Sequence, residues 1–333
     1  MKKKRTTAAI VGFVIILAVL AFFLLKELRP PEKIENLRIG ALPDFYNALL
    51  YIAQAKGMFQ RHGINLSLEN YQAGTYAVND LVAGKLDVAA ASEFVLARQA
   101  FHQPALRAVS IISLSDSIEI VARRNHGIEK PEDLRGKRFG ASKGTISDFF
   151  LSTFLSLNGI HFKEIQVVDL KTAEIGPALI MGRIDAAVNL ASFLGAVKRE
   201  LGENAIAWSA QSGQDFFGIL ITRDDLIKTR PGAITAFLKG VLEAEDYLKK
   251  HEKEAHNLIM HTLNLDQETA LNTWARTRFR VGLDQNLLTL MEDEARWAIT
   301  NKYVDSTNMP NYFNFLYLEG LKKIKPEAVS VIH

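Results

Sequence analysis

The sequence predicts an α/β protein built from two similar lobes, because its first two thirds carry one pattern of strands and helices twice. Three pairs of matching segments occur in the same order: residues 38–41 and 138–141, residues 63–64 and 159–160, and residues 84–89 and 182–187. Ordinary strand-to-helix turns that match by chance are the alternative. Two such lobes lie either side by side or face to face across a cleft, and open parallel sheets bind ligands at the carboxyl ends of their strands.

The stretch around Gly144 is the first candidate for a ligand-binding loop. A short strand ends at Ala141, a turn containing Gly144 follows, and Thr145 can cap the helix that begins before Asp148. Backbone N–H groups at a helix start lack partners within the helix, and the helix dipole adds partial positive charge there. We therefore expect a small anion or polar ligand to dock at this turn.

Length and composition allow two domains with a sizeable core, since the chain has 333 residues and 48% of them are hydrophobic. The absence of cysteine excludes disulfides, thiolate metal sites and cysteine nucleophiles. The formal net charge is +3, and residues 2–5 supply four positive charges, so the rest of the chain carries a net charge of about −1. A nearly neutral body without a basic stripe is not expected to bind nucleic acid.

Residues 8–25 form an apolar run that would be about 27 Å long as a helix, at about 1.5 Å per residue. We expect an uncleaved, single-pass transmembrane anchor, with the basic tip in the cytoplasm and the body in the periplasm or outside the cell. A cleaved signal peptide and a buried core helix are the alternatives, although no clear small-x-small cleavage site follows the run. Residues 26–36, with Pro30 and Pro31, predict a short stiff spacer.

The body alternates strands with helices, which favours a parallel sheet. Short apolar runs bounded by turn residues predict strands over residues 37–42, 64–68, 87–91, 106–112, 118–123, 138–141 and 218–223. Apolar residues at helical spacing predict helices over residues 47–61, 74–83 and 93–101, after Thr145, and over 233–263, 266–277, 284–301 and 312–324. A turn and a short helix are expected at residues 131–137.

The strands over residues 118–123 and 218–223 resemble each other and bracket the second repeat. If both cross between the lobes, the chain enters the second lobe at one and leaves it at the other, which gives a hinge for closure. The alternative is that both are core strands of one sheet.

No metal or cofactor site is predicted. His251, His256 and His261 recur at a spacing of five residues, which is too wide for i, i+4 ligation on one helix face. The Gly-x-x-x-x-Gly-Lys-Ser/Thr phosphate loop is absent.

Three segments of the sequence resemble the nitrate, taurine and aliphatic-sulfonate binding proteins of ABC importers, which share a fold with thiamine-pyrimidine binding proteins. Residues 131–140 read Pro-Glu-Asp-Leu-Arg-Gly-Lys-Arg-Phe-Gly, close to the Pro-x-Asp-Leu-Lys-Gly-Lys-x-Ile-Gly segment of these periplasmic solute-binding proteins. Residues 51–59 and 81–89 fit the same group, and the resemblance covers roughly residues 37–241.

This resemblance implies a type II periplasmic-binding-protein fold, with two α/β lobes joined by two crossing strands and preceded by the transmembrane helix. Lobe one would comprise residues 36–117 and 224–333, lobe two residues 118–223, and residues 1–35 the tip, anchor and spacer. The cleft would close on a small solute, the partner would be an ABC permease, and we expect a monomer. The anchor departs from the family, whose members are usually free or lipid-anchored. The fungal thiamine-pyrimidine synthase of this fold uses cysteine and histidine, so a chain without cysteine is not expected to share that role.

Loops that follow strand ends are expected to line the cleft. In lobe one these loops hold Asp44, Phe45, Tyr46, Asn47, Thr75, Ser92, Glu93 and Ser113, with Pro43 and Gly74 beside them. In lobe two they hold Ser142, Gly144, Thr145, Ile146, Asn189 and Phe217, with Ser147 and Phe216 beside them.

The chemistry of these residues suggests what the cleft binds. If Asp44 and Glu93 face inward, an amine or heterocycle is favoured over sulfonate or nitrate, because carboxylates repel anions; otherwise both are solvated acids at helix starts. Phe45, Tyr46 and Phe217 could stack on a flat ligand or belong to the core. Ser142, Thr145 and Ser147 could equally be helix-capping residues.

Three functions fit the sequence. The leading one is an extracytoplasmic protein that captures a small organic anion or heterocycle, without catalysis, and delivers it to a permease. The second is a lyase or dehydratase with Asp44 or Glu93 as general base, which the membrane segment disfavours. The third is a tethered ligand sensor that is read by a separate partner.

Overall fold

The computed structural model describes residues 34–332 of the chain, which contain twelve strands. The strands are β1 (Glu35–Ala41), β2 (Ile64–Asn70), β3 (Val88–Ser92), β4 (Leu106–Ser115), β5 (Ile118–Arg123), β6 (Arg138–Ala141), β7 (Gln166–Asp169), β8 (Ala186–Leu190), β9 (Ala205–Ser209), β10 (Phe216–Arg223), β11 (Thr277–Asp284) and β12 (Val329–Ser330).

The helices of residues 34–332 cover both sheets. The α-helices are α1 (Ala48–Ala55), α2 (Met58–Arg61), α3 (Gly74–Val82), α4 (Glu93–Gln99), α5 (Ile146–Leu157), α6 (Thr172–Ile180), α7 (Ala191–Leu201), α8 (Asp224–Thr229), α9 (Pro231–Lys250), α10 (Glu252–Thr262), α11 (Gln267–Ala275), α12 (Gln285–Thr300) and α13 (Glu319–Lys322). Short 3₁₀ turns lie at Phe45–Asn47, Arg124–His126, Pro131–Leu134, Phe162–Glu164, Gly202–Asn204, Tyr312–Phe315 and Pro326–Ala328.

Two separate sheets define two lobes. Lobe one is built on a seven-stranded sheet with the order β12-β11-β4-β10-β3-β1-β2, and lobe two on a five-stranded sheet with the order β7-β6-β8-β5-β9. Both lobes belong to one compact unit that begins at Asn36. The predicted α/β architecture with two sheets is therefore confirmed.

Parallel and antiparallel pairs share each sheet. β1 and β3 pair in parallel in lobe one, and β6 pairs in parallel with β7 and β8 in lobe two. These strands follow the predicted strand-helix-strand units, which need a helical crossover to bring parallel strands together. β10 and β5 are antiparallel to their neighbours.

The chain passes between the lobes in two short segments, residues 116–117 and 210–215, rather than along the two strands that we expected to cross. β5 lies wholly in lobe two, and β10 lies wholly in lobe one between β3 and β4. The expected boundary of lobe two at residue 223 therefore falls too late. β10 is buried along nearly its whole length, and a place in the middle of the larger sheet provides this burial. For this reason β10 belongs to lobe one and does not cross between the lobes.

The repeated residues make the same contacts in both lobes. The backbone N–H of Arg38 donates to Oδ2 of Asp87 at 2.8 Å, and that of Arg138 donates to Oδ2 of Asp185 at 2.8 Å. Each arginine also donates through Nη2 to a glycine carbonyl, at 3.1 Å for Gly84 and 2.8 Å for Gly182. The repeated Gly-basic-apolar-Asp pattern therefore fixes the first strand of each repeat, β1 or β6, to the turn before the third strand of that repeat, β3 or β8.

Several predicted helices are interrupted. The helix expected over residues 47–61 is divided at Gly57, whose φ of +65° is left-handed, and the one expected over 233–263 breaks at His251. The helix expected over residues 266–277 ends at Ala275, and β11 follows, a strand that we did not predict. The last predicted helix, over residues 312–324, is a 3₁₀ turn followed by α13.

Each lobe has its own hydrophobic core, and the two cores meet. Leu42, Tyr46, Phe94 and Phe216 of lobe one pack in the same buried cluster as lobe-two residues such as Phe139. The lobes are thus in contact in this structure, with apolar side chains at the contact.

Within residues 34–332, no helix is both long and apolar enough to cross a bilayer. The span predicted at residues 8–25 lies outside the described residues.

Candidate ligand-binding site

A cavity lies between the two lobes, near the carboxyl ends of β1, β3 and β8. It holds about 440 Å³ of space free of protein atoms, counting the solvent at its mouth. The space open to the centre of a water-sized sphere is only about 40 Å³, so the cavity is narrow in this structure. Lobe one lines it with Leu42, Tyr46, Ala73, Gly74, Thr75, Ser92, Val95 and Phe216, and lobe two with Thr145, Ile146, Ser147, Thr172, Asn189 and Leu190.

Lobe one contributes an aromatic edge and the start of a helix. The rings of Tyr46 and Phe216 meet edge to face with centroids 5.5 Å apart, and both side chains are buried. Gly74 begins α3, where an added Cβ would lie 2.7 Å from Cβ of Ala91 on β3. Only glycine allows the first turn of α3 to approach the sheet this closely.

Lobe two contributes polar side chains that its own backbone holds in place. The hydroxyl of Thr145 donates to the carbonyl of Ser142 at 2.8 Å. Nδ2 of Asn189 donates to the carbonyl of Thr172 at 3.0 Å, and its Oδ1 accepts from the N–H of Leu190 at 2.9 Å. These bonds orient the groups before any ligand arrives.

Two helices from opposite lobes, α3 and α5, begin at the cavity. Their first-turn N–H groups lack partners within the helix and carry partial positive charge, which favours an anionic or electron-rich group. None of the residues that line this cavity has a charged side chain. The site can therefore bind by neutral hydrogen bonds, helix dipoles and aromatic contact.

Tyr46, Thr75, Ser92, Thr145, Ile146 and Asn189 line the cavity among the predicted site residues, as do Gly74, Ser147 and Phe216 beside them. The structure adds Leu42, Ala73, Val95, Thr172 and Leu190, which we did not predict. Thr172 carried a usable signal, since it lies at the start of the helix that follows β7, and Thr145 lies just before the helix that follows β6.

Asp44 and Glu93 do not line the cavity, contrary to expectation. Asp44 is 1% exposed, its Oδ1 accepts from the N–H of Tyr46 at 3.2 Å, and its Oδ2 accepts from the hydroxyl of Ser192. Burial raises the pKa of Asp44, and these hydrogen bonds oppose the rise. Its role is to cap a turn, for which an aspartate at a helix start is well suited.

Glu93 is fully buried beside Glu294 of α12. Burial raises the pKa of Glu93 to about 8, and the backbone N–H groups of Phe217 and Phe94 reduce the rise only in part. The sequence showed an acid at a helix start but not that α12 covers it.

Phe45 and Phe217 belong to the core of lobe one rather than to the cavity lining. Phe45 packs against Trp274 with ring centroids 6.0 Å apart. Successive side chains of a strand point to opposite faces, so Phe216 joins the cluster between the lobes while Phe217 faces the core of lobe one.

Asn47, Ser113, Ser142 and Gly144 also lie outside the lining and hold the loops that form it. Nδ2 of Asn47 donates to the backbone carbonyl of Leu42 at 2.9 Å, and the hydroxyl of Ser113 donates to the backbone carbonyl of Tyr46 at 2.7 Å. The carbonyls of Ser142 and Gly144 accept hydrogen bonds. Such supporting residues follow strand ends just as contact residues do, so sequence position does not separate the two.

In the described part of the chain, no three His, Asp or Glu side chains come together as metal ligands could.

Two α/β lobes closed over a cavity define a binding-protein architecture, and solved structures show the same fold. The alkanesulfonate-binding protein SsuA from Xanthomonas axonopodis pv. citri, bound to MOPS, superposes with a TM-score of 0.73 at 14% identity, covering 90% of this chain and 100% of that chain.

The chain belongs to the NMT1/THI5 like family, whose profile matches residues 44–255. A putative binding protein of Brucella abortus is 24% identical over 237 residues, which are 69% of this chain and 72% of the relative. A putative thiamine biosynthesis protein of Haemophilus influenzae is 27% identical over 254 residues, 72% of this chain and 77% of the relative. The family resemblance inferred from the sequence is thereby confirmed.

Proposed function

We propose that the chain is the extracytoplasmic solute-binding component of an ABC-type importer, and that it captures a small organic anion or heterocycle between its lobes. The observation that carries the proposal is the uncharged cavity that both lobes line. Enclosure by two lobes and a few oriented hydrogen bonds is sufficient for affinity without covalent chemistry.

The lining argues for binding rather than turnover. Its residues include no carboxylate, imidazole or amine that could transfer a proton. The buried carboxyl groups that we expected at the cavity, those of Asp44 and Glu93, are absent from the lining. Relatives named as binding proteins support the same conclusion.

For the ligand, the lining favours a sulfonate, nitrate or pyrimidine-like compound. Hydroxyl groups and helix starts suit an oxyanion, and the rings of Tyr46 and Phe216 suit a flat heterocycle. The structural neighbour that binds an alkanesulfonate and the relative named for thiamine biosynthesis point to these same two chemistries.

A thermal-shift screen of the full chain in detergent tests the proposal, with taurine, alkanesulfonates, nitrate, bicarbonate, aminopyrimidines and flavins as probes. A solute at 100 times its Kd should stabilise the protein by about 2.7 kcal/mol. The variants Ser92→Ala and Tyr46→Phe remove one lining hydroxyl each and should weaken the bound solute by about twofold to tenfold. Ser67→Ala, on an exposed position of β2, is the matched control.

The contrary result is turnover of a probe by the wild-type protein, or a melting shift that both cavity variants leave unchanged. Either would show that this cavity is not the binding site of a transport protein.

We further propose that residues 8–25 anchor the body to the cytoplasmic membrane and leave it on the outer side. Their apolar length and the preceding basic cluster support this arrangement. In spheroplasts, external protease should degrade the body of the membrane-bound protein, and mass spectrometry of that protein should find residues 1–33 still attached. A soluble product lacking them would instead identify a cleaved signal peptide.

A further inference from the structure

An arginine of lobe one reaches across the cleft to a loop of lobe two. Nη1 of Arg98, on α4, donates to the carbonyl of Gly144 at 2.6 Å. Gly144 lies in residues 142–147, which comprise the turn after β6 and the first two residues of α5 and are here called the 142–147 loop. This segment supplies Thr145, Ile146 and Ser147 to the cavity. Arg98 itself is not part of the lining. It therefore touches the backbone that presents the cavity residues, and not the cavity.

A tyrosine of lobe one helps to hold the backbone N–H of the same glycine. The hydroxyl of Tyr303, which follows α12, donates to Oδ2 of Asp148 in the first turn of α5. The same Oδ2 accepts the N–H of Gly144 at 3.0 Å. Gly144 is thus held through its carbonyl by Arg98 and through its N–H by Asp148, which Tyr303 orients.

Aromatic packing joins these two contacts into one unit. The guanidinium carbon of Arg98 lies 5.4 Å from the ring centroid of Tyr303 and 5.7 Å from that of Phe94, distances typical of cation–π contacts. Side chains fixed on both sides in this way lose less freedom when they form a further bond.

Glycine is required at position 144 for this approach. Its φ is +70°, and a Cβ there would lie 2.5 Å from Nη1 of Arg98. The left-handed backbone disfavours a side chain here, and a Cβ would push the guanidinium of Arg98 away from the carbonyl of Gly144.

We propose that Arg98 and Tyr303 are positioning residues that fix the 142–147 loop in its ligand-binding geometry when the lobes are closed. This inference rests on the proposed function as a binding protein. It names two residues that keep one loop of the binding site in a fixed conformation. Loss of either contact should loosen the loop while the fold of each lobe stays intact.

The test holds the lobes closed without any solute. Because the chain has no cysteine, the variants Gly195→Cys and Thr269→Cys together introduce one disulfide between α7 of lobe two and α11 of lobe one. A Cβ at position 195 would lie 2.8 Å from Cβ of Thr269. The two Cβ atoms of a disulfide lie roughly 3.5–4.5 Å apart, so the cross-link separates the helices here by only about 1 Å.

Hydrogen–deuterium exchange of residues 142–148 in this cross-linked protein is the readout. Arg98→Gln and Tyr303→Phe should each speed exchange at Gly144 and its neighbours by about tenfold, and Arg98→Lys should have an intermediate effect. Exchange in α9, far from the loop, should stay as it is. Arg296→Gln, on an exposed face of α12, and Tyr317→Phe are matched controls.

Unchanged exchange at residues 142–148 in both Arg98→Gln and Tyr303→Phe would overturn the inference, as would an equal increase in the controls. Tyr303→Phe removes a single oxygen, so it keeps the test valid if Arg98→Gln does not fold. The readout uses no solute, so failure of this inference is distinct from failure to find a transported ligand.

Discussion

The hydroxyl of Ser192 in lobe two donates a hydrogen bond to Oδ2 of Asp44 in lobe one. Asp44 also caps the turn that carries Tyr46 to the cavity, through the 3.2 Å bond from the N–H of Tyr46. A carboxyl group that we expected to meet the ligand thus joins the lobes beside the cavity.

Replacing Asp44 should therefore affect stability. Asp44→Ala leaves the N–H of Tyr46 and the hydroxyl of Ser192 without an acceptor, and we expect a loss of about 1–3 kcal/mol in the free energy of unfolding. Asp44→Asn keeps an acceptor and should lose less than half as much. Urea unfolding measures both, with Asp305→Ala on the surface as control. Equal losses in Asp44→Ala and Asp44→Asn would mean that the charge, and not the acceptor, matters.

The repeated aspartates allow a second test of stability. Arg138 holds the pKa of Asp185 well below its usual range, first through its side chain and also through its backbone N–H. A lowered pKa in the folded state stabilises the protein above the unfolded-state pKa, and the gain is lost as pH falls through the folded-state pKa.

Asp185→Asn should lower the free energy of unfolding by about 1–3 kcal/mol near neutral pH, where the ionised group accepts its hydrogen bonds. The difference from wild type should shrink in urea titrations carried out at pH values below the usual pKa of aspartate. Asp87→Asn should have the smaller effect, because the Arg38 side chain lies 3.6 Å from Asp87 whereas that of Arg138 lies 2.7 Å from Asp185. A larger loss for Asp87→Asn would contradict this ranking.

These two aspartates also show why the fold could be predicted from the sequence. The pattern around Asp87 and Asp185 repeats because one backbone contact occurs twice, so the repeat reports a structural constraint directly. The strand ends that follow it then indicate where ligand-binding loops lie.

The side-chain directions at the site could not be predicted in the same way. Whether Glu93 faces the cavity depends on α12, about two hundred residues later in the chain, which covers it. The assignment of Phe216 to the cavity and Phe217 to the core depends on the register of β10 between β3 and β4. Contacts distant in sequence decide both, and local patterns do not contain them.

The buried pair Glu93 and Glu294 should make the protein less stable in alkaline solution. Burial raises the pKa of both groups, that of Glu93 to about 8. The folded state then binds more protons than the unfolded state, so stability falls as pH rises from the unfolded-state pKa through the folded-state pKa. The slope can reach about 1.4 kcal/mol per pH unit for one group.

Glu93→Gln should flatten this slope, because glutamine stays neutral. Melting temperatures at about pH 6 and about pH 8.5 should fall less in the variant than in wild type. Glu319→Gln, whose carboxyl group is largely exposed, is the matched control. Parallel pH dependence of wild type and Glu93→Gln would show that Glu93 is ionised in the folded protein.

Closure of the lobes depends on a glycine where α7 meets α11. A Cβ at Gly195 would lie 1.9 Å from Oγ1 of Thr269, so with threonine at position 269 a side chain at 195 must push α11 away from α7. Gly195→Trp should hold the lobes several ångströms further apart, because the ring must displace α11 from α7. Spin labels on Ser67→Cys in lobe one and Ala173→Cys in lobe two, both exposed positions, measure this separation.

Gly232→Trp is the matched control, since a Cβ at Gly232 meets no heavy atom within 4 Å. A label distance in Gly195→Trp equal to that of the control would mean that α7 and α11 do not set the closed position. A longer distance together with weaker solute binding would show that closure of the lobes contributes to solute binding.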